Sequence, residues 1–147
     1  MLRRRILLTA LGLGTAAFAI AVFATWSAAR DLFPECSAPA QVAVTMSLRD
    51  LPAPLYSALR EKVGDIQDRG GPFDVSDVMV TGHFRRFIFA WQREDRWVLA
   101  TERGGISYSE PVFSYDLPLG GERAILVEEI YSRPETLCKA ATEALRL

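Results

Sequence analysis

One histidine, His83, is the entire histidine complement of this chain, and lysine is almost as scarce, with Lys62 and Lys139 alone. The two cysteines, Cys36 and Cys138, stand far apart and outside any C-x-x-C arrangement. Three such residues are too few to close a zinc site, so no metal is expected. The glycine pairs at 70–71, 104–105 and 120–121 complete neither G-x-x-x-x-G-K-[ST] nor G-x-G-x-x-G, and are read as turn glycines with no cofactor implied. Ser107, Ser109 and Ser114 have no G-x-S-x-G elbow around them. The longest absence is of charge: no Asp, Glu, Lys or Arg occurs from Ile6 to Trp26.

As a helix rising ~1.5 Å per residue, that run would reach roughly 31 Å, close to the ~30 Å hydrocarbon core of a bilayer. Arg3, Arg4 and Arg5 precede it, whereas Arg30, Asp31 and Glu35 follow, so the positive-inside rule places the N-terminus in the cytoplasm. The expectation is a cytoplasmic tail at 1–5, a signal-anchor transmembrane helix at 6–29 and one periplasmic domain at 30–147, in a bacterial-type inner membrane. The membrane is thus the first expected partner, through residues 6–26. Ser27-Ala28-Ala29 also fits a signal-peptide cleavage site, which would release the domain into the periplasm after Ala29.

Setting aside Arg3, Arg4 and Arg5 leaves 14 of the 17 basic residues against all 18 acidic ones, a net charge of −4 beyond the leader. Such a domain has no electrostatic footprint for nucleic acid. In an oxidising compartment, two widely spaced cysteines read as a disulfide, and Cys36–Cys138 is expected.

Within the domain, Gln41–Leu48 is β-prone, and Asp50-Leu51-Pro52-Ala53-Pro54 opens a helix whose stripe is Leu55, Leu59, Val63 and Ile66, ending near Asp68. Five runs of β character follow: Asp77–Thr81, Phe84–Gln92, Arg96–Glu102, Ile106–Tyr115 and Ala124–Tyr131, with Pro111 expected at an edge or bulge. Ser132-Arg133-Pro134-Glu135 reads as a capping box for a last helix with Leu137, Cys138, Ala141, Ala144 and Leu145 inward. The expected fold is α+β: an antiparallel meander of about five strands, covered on one face by two helices. A two-residue turn at Glu94-Asp95 would set Arg93 against Arg96, so a longer loop pairing Trp91 with Trp97 and Phe89 with Leu99 is expected. Phe87, Phe89 and Trp91 would then share one face.

His83 lies between strand runs, where a turn residue is the expected role, with Ser76 and Asp77 its only nearby partners in sequence. Glu128 and Glu129 are neighbours on a strand and point to opposite faces, so they cannot act as one acid–base pair. No catalytic residue is therefore assigned. Aromatics and arginines dominate the β region, and Arg85, Arg86, Tyr108 and Tyr115 are the expected partner contacts. The function expected is a membrane-anchored, non-catalytic binding or assembly module serving another envelope protein. The alternatives are a secreted domain holding a small apolar ligand or lipid in an aromatic pocket, and a hydrolase of unrecognised type.

Overall fold

The computed structural model describes residues 36–76 and 81–146. The tail, the anchor and most of the Asp77–Thr81 run lie outside the described residues, among which no helix is long and apolar enough to cross a membrane. The elements are β1 (Ala43–Thr45), a 3-10 turn (Leu48–Asp50), α1 (Ala53–Val63), β2 (Arg85–Arg93), β3 (Arg96–Arg103), β4 (Glu110–Asp116), β5 (Ile125–Ser132) and α2 (Leu137–Ala144). The strands form one sheet in the order β1-β2-β3-β4-β5, every pair antiparallel, so the α+β meander expected from short connections is present.

The helices do not share a face. On α1, Leu55 and Leu59 are fully buried against Trp97, Leu99, Phe113 and Tyr115, whereas α2 packs Leu137, Ala140, Ala141 and Ala144 onto Val98, Ala100 and Val112. Successive strand residues point to opposite sides, so the two sets lie on opposite faces and the sheet is sandwiched between the helices. Consequently Phe87–Trp91, Trp97–Ala100 and Pro111–Tyr115 are buried at every position. The three alanines let α2 lie close on β3, β4 and β5.

The β2–β3 hairpin also departs from expectation. Glu94 and Asp95 form a two-residue turn, Arg93 stands opposite Arg96, and Trp91 pairs with Val98, which puts Trp91 and Trp97 on opposite faces. Glu94 supplies the positive φ, 53°, that glycine or asparagine usually provides, and Gln92 Nε2 donates to its carbonyl at 3.1 Å. The like-charge contact is neutralised from a third strand: Arg96 Nε donates to Asp116 Oδ1 at 2.6 Å. A register shift between Phe87 and Phe89 sends Phe87 to the α1 face while Ile88, Phe89 and Trp91 face α2, so the three aromatics do not line up.

Three further local readings change. The α1 helix stops at Val63, where Gly64 takes φ 79°, and Ile66 reaches the core from the irregular segment that follows. There Gln67 pairs with the edge of β2, its N–H donating to the Arg85 carbonyl and its carbonyl accepting from Phe87 N–H, both at 2.9 Å. Ser132 makes no capping box: it is the last residue of β5, its hydroxyl donates to the Glu110 carbonyl, and α2 begins a turn later after Thr136. Pro111 sits inside β4, an interior strand, at the point where the β3–β4 ladder stops, and Thr101 Oγ1 donates to its carbonyl at 3.3 Å.

Cys36 and Cys138 are bonded, with Cα atoms 5.2 Å apart, tying the segment before β1 to the first turn of α2. Asp74 is buried and accepts from the N–H groups of Thr81 and Gly82 (2.7 Å to the latter), while its own N–H donates to the His83 carbonyl at 2.8 Å. This turn rests on Gly104, where a Cβ would stand 1.9 Å from the Asp74 carbonyl oxygen. Gly104→Ala is therefore expected to destabilise the domain by about 1–3 kcal/mol, because backbone must move to admit the methyl. Thermal unfolding of the variant against the parent measures this.

Candidate functional site

Two arrangements on the sheet carry the functional residues. The first is the β5 edge. At the opposite edge, β1 is three residues long and Gln67 covers β2 beyond it, so that side is closed in short pieces. β5 is eight residues long, and no strand lies beyond it among the described residues. Ile125, Leu126, Val127 and Tyr131 on it are exposed. Native edges are commonly blunted by brevity, charge or cover, so a long apolar edge is a ready template for another chain.

Beside this edge runs a groove of about 910 Å³ between α1 and β5, whose lining includes Ala53, Pro54, Ala58, Ile125 and Leu126, with Glu61, Lys62, Glu122 and Arg123 as its charged groups. Tyr115 forms part of the lining, and its hydroxyl is buried with no hydrogen-bond partner. Burial, reinforced by Glu129 and Glu61, pushes this phenol up to about 12, so it remains a neutral donor. Lys62, in the lining, has its Nζ 2.6 Å from Glu129 Oε2.

The second arrangement is a polar cluster under the β3–β4 loop. Arg86 pairs with Glu102 across β2 and β3, and Nε of Arg86 donates to Glu102 Oε1. The Ala100–Val112 and Arg103–Ser109 pairings place Glu102 directly opposite Glu110. Tyr108 Oη lies 2.9 Å from Glu110 Oε1 and 3.2 Å from Glu102 Oε2. Phe73 covers the cluster, 4.7 Å from the Arg86 guanidinium and edge-on to the Tyr108 ring. Burial pushes both carboxyls above the ordinary range. Arg86 and Tyr108 draw Glu102 back down; Tyr108 also draws Glu110 down, while the charges of Glu102 and Glu135 push it up. The Tyr108 phenol is also raised, by burial first and then by the two carboxylates.

Of the expected contacts, Tyr115 is 1% exposed and cannot meet a partner with more than its groove-facing atoms. Arg86 is turned into the cluster, and Tyr108 is exposed at its ring while its hydroxyl points inward. Only Arg85 remains at a groove with no ion pair or side-chain hydrogen bond among the described residues. Glu128 and Glu129 do lie on opposite faces, opposite Ser114 and Phe113 respectively. His83 is half-buried, its Nδ1 3.0 Å from Gln67 Nε2 and 3.4 Å from Asp65 Oδ2. Among the described residues no three His, Cys, Asp or Glu side chains are grouped to hold a metal.

Glu102 and Glu110 escape sequence reasoning because they are eight positions apart with a loop between them. The one available signal is parity: Glu102 follows Val98 and Ala100 in phase, and Glu110 precedes Val112, so both carboxylates continue a buried face.

Together these features define an α+β domain, a five-stranded antiparallel meander with a helix on each face and one apolar edge open. No protein-family model matches the chain, and neither a curated protein nor a solved structure is significantly similar to it.

Proposed function

We propose that this chain is a membrane-anchored, extracytoplasmic binding module that takes an extended segment of another envelope protein on β5. The exposed apolar residues of that long edge, beside the α1–β5 groove, carry the reading. The charge-free run Ile6–Trp26 behind three arginines supports the anchor, and the Cys36–Cys138 bond fits an oxidising compartment. A second copy of β5 is a poor occupant, because antiparallel self-pairing centred on the strand sets Glu128 and Glu129 against the same pair. A strand carrying basic residues among apolar ones is the complementary partner.

The test is a photo-crosslinking amino acid placed in the full chain at Leu126 or Val127, with Val44 on the short edge as control, irradiated in native membranes. A discrete protein adduct from the β5 positions and none from Val44 is the expected result; His83→Ala should leave it unchanged. Adducts of equal yield at both edges, or none, overturn the reading. The groove also favours the ligand-binding alternative, since its volume suits a small molecule and Tyr115 offers a buried donor. Crosslinks from Leu126 to lipid or metabolite alone would bring that alternative forward.

A further inference from the structure

The β2–β3 ladder ends in a pair of arginines, Arg85 opposite Arg103. Both follow the parity of Phe87 and Leu99, so they stand on the α1 face. Arg85 and Arg103 flank a groove of about 580 Å³, completed by Phe84, Gly104, Gly105, Ile106 and Ser107, with no α1 residue in its lining. Other arginines on these strands have their charge answered: Arg86 by Glu102 and Arg96 by Asp116. Arg85 and Arg103 make no ion pair and no side-chain hydrogen bond among the described residues.

Like charges directly opposite on a sheet repel. Burial first and then the charge of Arg103 disfavour the charged form of Arg85, with Tyr131 and Glu129 acting more weakly the other way. Neither has a carboxylate within ion-pairing distance among the described residues, and the two border one groove.

We propose that Arg85 and Arg103 bind a phosphate group, with the apolar part of its bearer lying against Phe84 and Ile106. Two guanidinium forks and the Ser107 hydroxyl offer more donors than the two in-plane oxygens of a carboxylate accept, and suit a tetrahedral oxyanion. Gly104 and Gly105 bring no side chain into the groove. Ile106, 90% exposed at the loop tip, is the apolar group beside it. A phospholipid headgroup and a soluble phosphate compound share this chemistry. The proposal does not rest on the β5 reading and stands or falls separately from it.

The experiment uses the full chain in maltoside micelles, which carry no phosphate, with arginine Nε–Hε resonances followed by NMR. Inorganic phosphate is added in one arm, short-chain phosphatidylglycerol in a second and diacylglycerol in a third. The expected result is a saturable shift of Arg85 and Arg103 but not Arg123, with affinity weakened about tenfold or more in Arg103→Gln. A response to inorganic phosphate makes a soluble bearer sufficient; a response to phosphatidylglycerol alone assigns the lipid. Arg103→Gln should also unfold at a higher temperature than the parent without phosphate, and lose the phosphate-induced stabilisation that the parent shows. No shift in either phosphate arm, an equal shift with diacylglycerol, or unchanged affinity in Arg103→Gln overturns the proposal.

Discussion

Glu102→Gln is expected to destabilise the domain by about 3–5 kcal/mol, whereas Glu110→Gln should leave it as stable as the parent at neutral pH, or more so. The difference follows from counting protons. Arg86 and Glu102 are buried, their side chains 16% and 4% exposed, and each neutralises the other. Glu110 is equally buried but has no cation within ion-pairing distance among the described residues, and its Oε2 has no partner at all. Tyr108 has one proton to give and two carboxyls within reach. If Glu110 keeps its own proton it donates to Tyr108, Tyr108 donates to Glu102, and Glu102 accepts from Arg86, with no net charge left in the chain. Losing Glu102 strands the Arg86 cation, whereas glutamine at 110 imitates the acid already there.

The same network sets a pH dependence. Glu110 binds its proton more tightly folded than unfolded, so its contribution is complete below the ordinary glutamate range. That contribution fades as pH rises through the raised folded value. Urea midpoints of the parent should therefore gain less from pH increase above about 4.5 than those of Glu110→Gln, whose amide does not titrate. Equal destabilisation by the two glutamine variants would refute this account.

Removing the Cys36–Cys138 bond should cost about 2–5 kcal/mol. The cysteines are 102 positions apart, and the chain-entropy model gives roughly 4.7 kcal/mol for a loop of that size. Packing moderates the loss, because Leu137, Ala140, Ala141 and Ala144 hold α2 on the sheet without the bond. The segment at Cys36, Ala38 and Val42 has fewer anchors, being only partly buried against that face. In Cys36→Ser/Cys138→Ser, hydrogen exchange should accelerate first at residues 36–45 and in α2, with β2–β4 protected longest. Unchanged unfolding temperature on reduction would show that packing alone fixes both ends.

Much of the candidate site was hidden in the sequence for a shared reason. Arg86 and Tyr108 stand out as interface-type residues, and nothing local tells that Glu102 of β3 and Glu110 of β4 meet beside them. Tyr115 carries the same surface signal yet is buried, since β4 is interior and α1 covers its ring. The exposed apolar side chains of β5 look like any strand core in sequence, and only the sheet order makes that strand an edge.

What the sequence by itself determined is local. Strand runs bounded by Gly104-Gly105 and Gly120-Gly121, a helix opened by Pro52 and Pro54, and the meander that short connections enforce follow from neighbours along the chain, while the cysteine pairing follows from there being only two. The continuous apolar run Phe87–Trp91 also suits a strand covered on both sides. Tertiary structure alone decided which helix took which face, the tight Arg93–Arg96 register made tolerable by Asp116, and the shift at Ile88 that splits the aromatics. Periodicity records that a side chain is buried but not against what, and a charge is acceptable or ruinous only according to a partner that folding brings from elsewhere.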